Sequence, residues 1–310
     1  MNRREFARSV AGAAAGAAVS GAVAGRALAQ GETLASEEAG ESASYKVSVM
    51  LWTVFRGQPF AQRLEKVAEA GYHAVELVNE FKDWTKEDFA AARKKKNELG
   101  IEIDATAGVW HTLADANDRE AFLKSLGEFA GTMQELECPK LVLQTGNAVA
   151  GLTREAMRET CVETLKRAGD VAAEHKIELL VENIDPEENP KYYLTSCAEG
   201  FEMVRAVGHP QVKFLYDFYH EQIAEGNLIE KLDKNLDVIG LVHVADVPGR
   251  HEPGTGEINY PNIYRKLAEL GYKRYMAMEF VPQGEPVAAL RAAREAALKI
   301  GAAERKASAS

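Results

Sequence analysis

The chain has 310 residues, a formal net charge of −10 and an apolar fraction of 46%. That length allows one large domain or two small ones, and that apolar fraction is enough for a soluble protein with a real core. The acidity argues against nucleic acid or an anionic membrane surface as the main partner.

The N-terminus differs in composition from the rest. Arg3-Arg4-Glu5-Phe6 precedes a run of Ala, Gly, Val and Ser from Val10 to Ala24, and Arg26-Ala27-Leu28-Ala29 ends in a small-x-small cleavage signal. Residues 1–29 therefore read as a secretory signal peptide that lies outside the fold. The segment resembles the twin-arginine type, with Asn2 and Ala7 where a hydroxyl residue and leucine are usual. The expected destination is the periplasm or another exported location. An uncleaved Ala-rich helix is the alternative, and the run is too weakly apolar for a membrane span. Cleavage removes Arg3, Arg4, Arg8, Arg26 and Glu5, a net +3, and leaves a mature charge of −13. Residues 30–44 are small and polar and read as a flexible leader. Cys138, Cys161 and Cys197 show neither metal spacing nor an even framework, and read as small buried apolar residues.

From Tyr45 a unit repeats: a short apolar or β-branched run, a polar turn, then an amphipathic stretch of helical period. Strands are predicted at Val47–Val54, Ala74–Val78, Ile101–Ala107, Lys140–Gln144, Ile177–Glu182, Val212–Asp217, Val238–His243 and Arg274–Phe280. Helices are predicted at Ala61–Ala70, Lys86–Leu99, Asp118–Leu136, Arg154–His175, Cys197–Val207, Leu228–Asn235, Tyr260–Leu270 and Val287–Ile300. Gly71, Gly100 and Gly271 each follow a helix where a C-terminal cap is needed. Eight strands alternating with eight helices is the count of a (β/α)₈ TIM barrel, here over 45–302, followed by a disordered tail at 303–310. A doubly wound sheet is the alternative, but no Gly-rich phosphate fingerprint follows the first strand.

In such a barrel the active site lies at the C-terminal strand ends. Strand five ends on Glu182, strand six on Asp217 with His220 three residues on, strand seven on His243 and strand eight on Glu279. Singly, each has a bland reading as a capped carboxylate or a packed imidazole. Together, three carboxylates and a histidine at consecutive strand ends call for a cation, because burying ionised carboxylates is costly. The donor set suits Mn²⁺ or Mg²⁺, with Co²⁺ or Zn²⁺ compatible, and the lack of cysteine disfavours a structural zinc site. After strand seven, Arg250, His251 and Glu252 sit in a loop of turn formers. Trp52 and Phe55 after strand one, and Trp110 and His111 after strand three, stand where they either wall the pocket or pack in the core or lid.

The run HVADVPGRHEPGTGEINYPNIYRKLAELGYKRYMAMEF resembles the C-terminal signature of the hydroxypyruvate isomerase family, a branch of the xylose-isomerase-like barrels. The likeness is sharpest at Arg250-His251-Glu252-Pro253 and Gly256-Glu257-Ile258-Asn259-Tyr260. It implies one divalent metal held by Glu182, Asp217, His243 and Glu279, with Glu182 and Glu279 also the acid/base pair and His220 and Arg250 on the substrate. Some family members carry Gln at the position of His243, whereas the related epimerases carry His. The implied reaction is an aldose–ketose isomerisation, with hydroxypyruvate the leading substrate. An exported keto-sugar epimerase or isomerase and a non-catalytic sugar-binding barrel are the competing expectations. A nuclease is disfavoured by the acidity and by too few histidines for a three-zinc cluster. The expected partner is a small hydroxy-carbonyl compound, with no nucleic acid and no membrane after cleavage; homo-oligomerisation stays open.

Overall fold

The computed structural model describes residues 43–309. The expected signal peptide at 1–29, and the leader up to residue 42, lie outside the described residues. Eight parallel strands pair in chain order: β1 (Lys46–Met50), β2 (Ala74–Leu77), β3 (Glu102–Thr106), β4 (Lys140–Gln144), β5 (Glu178–Glu182), β6 (Val212–Asp217), β7 (Ile239–Val244) and β8 (Tyr275–Met278). The sheet closes because β8 also pairs with β1, Val49 lying opposite Met278. Around it run α1 (Phe60–Glu69), α2 (Lys86–Glu98), α3 (Arg119–Leu136), α4 (Arg154–His175), α5 (Cys197–Val207), α6 (Phe218–Ala224), α7 (Leu228–Asn235), α8 (Tyr260–Glu269) and α9 (Pro286–Ala309). The expected (β/α)₈ barrel is the observed one.

Apolar residues serve two cores. Between sheet and helices, Val49, Leu77, Leu179, Phe214 and Val244 bury against residues such as Leu64, Leu165 and Leu267. Inside the barrel, Ala105, Ala107, Val142, Leu180, Leu215 and Leu241 form a separate plug. Each fully buried leucine there contributes about 1.5–3 kcal/mol of transfer free energy. The plug floors the site: above it, toward the C-terminal strand ends, the inward side chains turn polar.

Local chemistry sets the helix ends. Thr85 and Asp88 form a reciprocal capping box at the start of α2, and the side chains of Thr153 and Ser196 cap α4 and α5. Gly71, Gly100 and Gly271 take φ values of +87°, +63° and +68° just past α1, α2 and α8, the left-handed turn that glycine adopts without strain.

Three details differ from expectation. The first strand stops at Met50 and a 3₁₀ turn, Leu51–Thr53, follows, which aims Trp52 toward the barrel mouth. A seven-residue helix, α6, fills the connection after β6, because the Asp217 carboxylate accepts from the backbone N–H of Tyr219 and caps it. The last helix continues to Ala309, through most of the tail expected to be disordered at 303–310. Gly301 does not break it: the helix passes so close to Tyr45 there that a Cβ would meet the tyrosine hydroxyl oxygen at 2.5 Å. The Ala-Ala-Glu-Arg-Lys run beyond it is made of strong helix formers.

Candidate active site

Glu182 and Asp217 end β5 and β6, His243 is the last residue but one of β7, and Glu279 is the first residue past β8. Its backbone N–H still bonds Val244 O at 3.0 Å, which keeps it in register with β7. One ligating atom from each of the four lies within 4.8 Å of the others, and all four residues are buried. His243 Nδ1 is 2.8 Å from Glu279 Oε2, 3.5 Å from Glu182 Oε1 and 3.9 Å from Asp217 Oδ2. These are ion-pair contacts whose angles are poor for hydrogen bonds. Asp217 Oδ2, His243 Nδ1 and Glu279 Oε2 are each buried without a hydrogen-bond partner. Buried polar atoms without a well-formed hydrogen bond are rare in folded proteins, and here three of them converge on one point, held by charge attraction alone. Lone pairs aimed at a common centre fit a metal ion, so the expected ligand set is brought together as a candidate metal centre.

The electrostatics agree. Burial raises the Glu182 carboxyl to about 8, with Glu279 and Asp217 adding and His243 opposing. Glu279 moves the other way: burial pushes it up, but Arg250 and His243 outweigh that and hold it well below the usual carboxylate range. Burial alone would lower His243, yet Glu76 and Glu279 raise it well above its ordinary value. Anionic groups crowded this closely favour a bound positive charge.

The two expected substrate residues frame the same centre. His220, on α6, places Nδ1 2.7 Å from Asp185 Oδ2 and Nε2 3.5 Å from Asp217 Oδ2. Burial disfavours its charge, but Asp217 and Asp185 prevail and raise its pKa to about 9. Arg250 Nη2 lies 2.9 Å from Glu279 Oε2 and 3.6 Å from Asp217 Oδ2, and Nη1 bonds Glu188 Oε2 at 2.8 Å. Its guanidinium carbon sits 5.4 Å from the Trp52 ring and 4.9 Å from the Tyr219 ring. Aromatic faces on either side pre-set the plane of the cationic fork.

The loop that carries Arg250 is organised by a residue the motif reading passed over. Asp246, fully buried, accepts from the N–H groups of Val247 (3.0 Å), Ile258 (3.0 Å) and Gly254 (2.8 Å). Gly256 runs so near that a Cβ would lie 2.0 Å from Val247 O, so only glycine fits. Arg250 itself takes φ +57°, a sparsely populated conformation held by Val281 N bonding Arg250 O at 2.7 Å. The other members of the motif are structural: His251 Nδ1 meets Val281 O at 2.8 Å, and Glu252 accepts from Gln283 N at 3.0 Å.

Of the four wall candidates, Trp52 reaches the centre, donating from Nε1 to Glu279 Oε1 at 2.8 Å. Trp110 is 53% exposed at the cavity rim, a lid position. Phe55 is buried in the core, and His111 faces away, bonded to Asp118 and Ser125. Sequence reading missed Glu76, Asp185, Glu188, Gln144 and Tyr219. Gln144 ends β4 opposite Glu182 and had a signal, since it too closes an apolar strand with a polar side chain. The cavity above the cluster measures about 160 Å³. That is room for about five waters at ~30 Å³ each, the scale of a small metabolite.

Residues 64–300 match the family model of xylose isomerase-like TIM barrels. Hydroxypyruvate isomerase of Escherichia coli is 30% identical over 254 residues, covering 79% of this chain and 97% of the relative. The 2-oxo-tetronate isomerase of Haemophilus influenzae is 30% identical over 253 residues, covering 79% of this chain and 96% of that one. Among solved structures, an AP endonuclease, family 2, from Brucella melitensis superposes with a TM-score of 0.73 at 28% identity, over 79% of this chain and 96% of the other. The chain is an isomerase of the xylose isomerase-like TIM-barrel family.

Proposed function

We propose that this protein is a divalent-metal-dependent isomerase of small 2-oxo-3-hydroxy acids, with hydroxypyruvate, converted to 2-hydroxy-3-oxopropanoate, the leading substrate. The observation that carries this reading is Arg250, a cationic fork held 2.9 Å from one carboxylate of the four-residue cluster and flanked by two aromatic rings. A substrate whose adjacent carbonyl and hydroxyl lie at the cluster presents its carboxylate to that fork, the bidentate pairing arginine is shaped for. Three or four carbons suit the volume of the cavity.

A divalent ion, Mn²⁺ or Mg²⁺ by the carboxylate-rich donor set and Co²⁺ or Zn²⁺ by compatibility, would be held by Glu182, Asp217, His243 and Glu279 and would supply Lewis-acid stabilisation of the negative charge that develops on the substrate. The chain supplies the proton chemistry. One of Glu182 and Glu279 takes the proton from C3, the other returns a proton to C2, and the hydroxyl proton passes from O3 to O2. Atoms and charge balance, and nothing is oxidised overall. Environments that push the two carboxylates in opposite directions are the pattern of an acid/base pair. His220, bonded through Nδ1 to Asp185, presents its other nitrogen to the site as a donor for a substrate oxygen.

The test is proton exchange in D₂O with Mn²⁺-loaded protein, followed by NMR on hydroxypyruvate, 2-oxo-tetronate, ketopentoses and ketohexoses. Deuterium entering the oxo acids with isomer formation is the expected result. Turnover of the keto-sugars alone would replace this reading with an epimerase, and no exchange at all would replace it with a binding barrel.

We also propose export through the twin-arginine route, on the strength of Arg3-Arg4-Glu5-Phe6. That route suits a protein that folds around its metal before crossing. Replacing both arginines by lysine should leave precursor in the cytoplasm; unchanged export removes the proposal.

A further inference from the structure

His243 has two ring nitrogens, and the barrel gives them different surroundings. Nδ1 faces the cluster, 2.8 Å from Glu279 Oε2 but without hydrogen-bond geometry. Nε2 lies 3.0 Å from Glu76 Oε2, and both residues are only 1% exposed. Both ring nitrogens thus face carboxylates, and an ion that takes Nδ1 leaves the ring proton on Nε2, where the Glu76 carboxylate accepts it. Glu76 comes from β2, which is separated from β7 in the barrel by β1 and β8. Only an inward-pointing side chain can span that distance. The register with β3 agrees: Glu76 lies opposite Ala105, a residue of the interior plug, while Asp104 is an extra residue on β3 at this point. Glu76 itself stands outside the four residues whose donor atoms converge.

We propose that Glu76 is a positioning residue of the metal centre, holding His243 as the Nε2–H tautomer with Nδ1 directed at the ion. Its charge also makes the imidazole a stronger donor, the role a carboxylate behind a ligating histidine plays at metal sites generally. The bland alternative is a buried carboxylate that only fills the barrel interior. It leaves unexplained why Glu76 contacts the one nitrogen that faces away from the cluster. The inference rests on the reading of Glu182, Asp217, His243 and Glu279 as metal ligands.

Glu76→Gln keeps the shape and an acceptor oxygen but removes the charge. Mn²⁺ affinity, measured by electron paramagnetic resonance of the free ion, should fall about 10–100-fold. In a His243→Gln background the same change should cost less than about twofold, because no imidazole remains to orient. A structural defect would weaken both backgrounds alike. The second measurement needs no variant: ¹⁵N-histidine NMR of the Zn²⁺-loaded wild type should show His243 protonated at Nε2 and metal-shifted at Nδ1. Equal losses in the two backgrounds, wild-type affinity in Glu76→Gln, or metal on Nε2 would each overturn the proposal, and the NMR result decides if Glu76→Gln does not fold. Failure of the underlying reading looks different: His243→Gln and Glu279→Gln would then bind Mn²⁺ as tightly as wild type.

Discussion

Glu279 holds two contacts of different kinds on its two oxygens. Oε1 accepts from Trp52, which fixes the carboxylate plane, while Oε2 is ion-paired with His243 and Arg250 without a well-formed hydrogen bond. As a ligand it needs only a lone pair; as an acid/base it needs an ionisable group. Glu279→Gln keeps the length and one oxygen, so metal binding should weaken but recover at high Mn²⁺. Turnover at saturating metal should stay down by about 10²–10⁴-fold, the usual worth of a positioned acid/base. Asp217→Asn removes a ligand charge without touching proton transfer, so added metal should restore most of its activity. Titrating both variants with Mn²⁺ in one assay is the check. If Glu279→Gln returns to near wild-type turnover, the residue is a ligand alone. Gln144 is a separate case. It lines the cavity beside Glu182, half-buried, with an amide free to meet a substrate hydroxyl. Gln144→Leu holds the volume and removes the amide, so KM should rise about tenfold with kcat changed less, the scale of one lost polar contact. Equal KM values in steady-state kinetics would leave Gln144 a wall and nothing more.

One loop, residues 246–259, carries the cationic side of the site, and one carboxylate holds the loop. Asp246→Ala strips the acceptor from three backbone N–H groups, each worth about 1–3 kcal/mol when left unmet. The melting temperature should fall, and KM for a carboxylate substrate should rise as Arg250 loses its fixed position. Asp246→Asn keeps one acceptor oxygen and should recover part of both; a loop indifferent to Asp246→Ala in melting and kinetics would sink the argument. The same loop shows what a sequence can and cannot say. Glu182, Asp217, His243 and Glu279 were legible because each interrupts an apolar strand, and strand order alone brings their ends together. The Gly71, Gly100 and Gly271 turns were legible because glycine after a helical period has one common use. Asp246 was hidden among other turn formers, where a polar residue is unremarkable in composition and its three bonds depend on the folded path. Glu76 was hidden because its partner is 167 positions away and across the barrel, on a strand that is not one of its own strand's neighbours. The α6 helix is too short to show a period, and its cap, Asp217, reads in sequence as the polar end of a strand.

At the scale of the molecule the barrel stacks an apolar plug beneath a buried anionic cluster, and the two make opposite demands. The plug stabilises by leaving water. The cluster removes three carboxylates from water, and Arg250 and His243 offset their charge only in part, which disfavours the folded chain until further positive charge is bound. A metal bound to the native state and not to the unfolded one then stabilises the whole barrel by mass action, about 2.7 kcal/mol at a hundredfold excess over Kd. In a domain of this size each kcal/mol moves the midpoint by roughly 2–4 °C, so EDTA should lower the melting temperature by about 5–10 °C. The effect should depend on pH in one direction. In the metal-free protein Glu182 is raised to about 8 and His243 lies well above its ordinary value, so near neutrality both hold protons that the metal must displace. Affinity therefore rises with pH, and the gap between metal-loaded and chelated melting temperatures should be wider at pH 8 than at pH 6.5. Calorimetric titrations with Mn²⁺ in buffers of different ionisation enthalpy should register protons released on binding. A melting temperature unmoved by EDTA at either pH, with no proton release, would mean that the cluster is satisfied by the protein alone, with Arg250 as its permanent counter-ion.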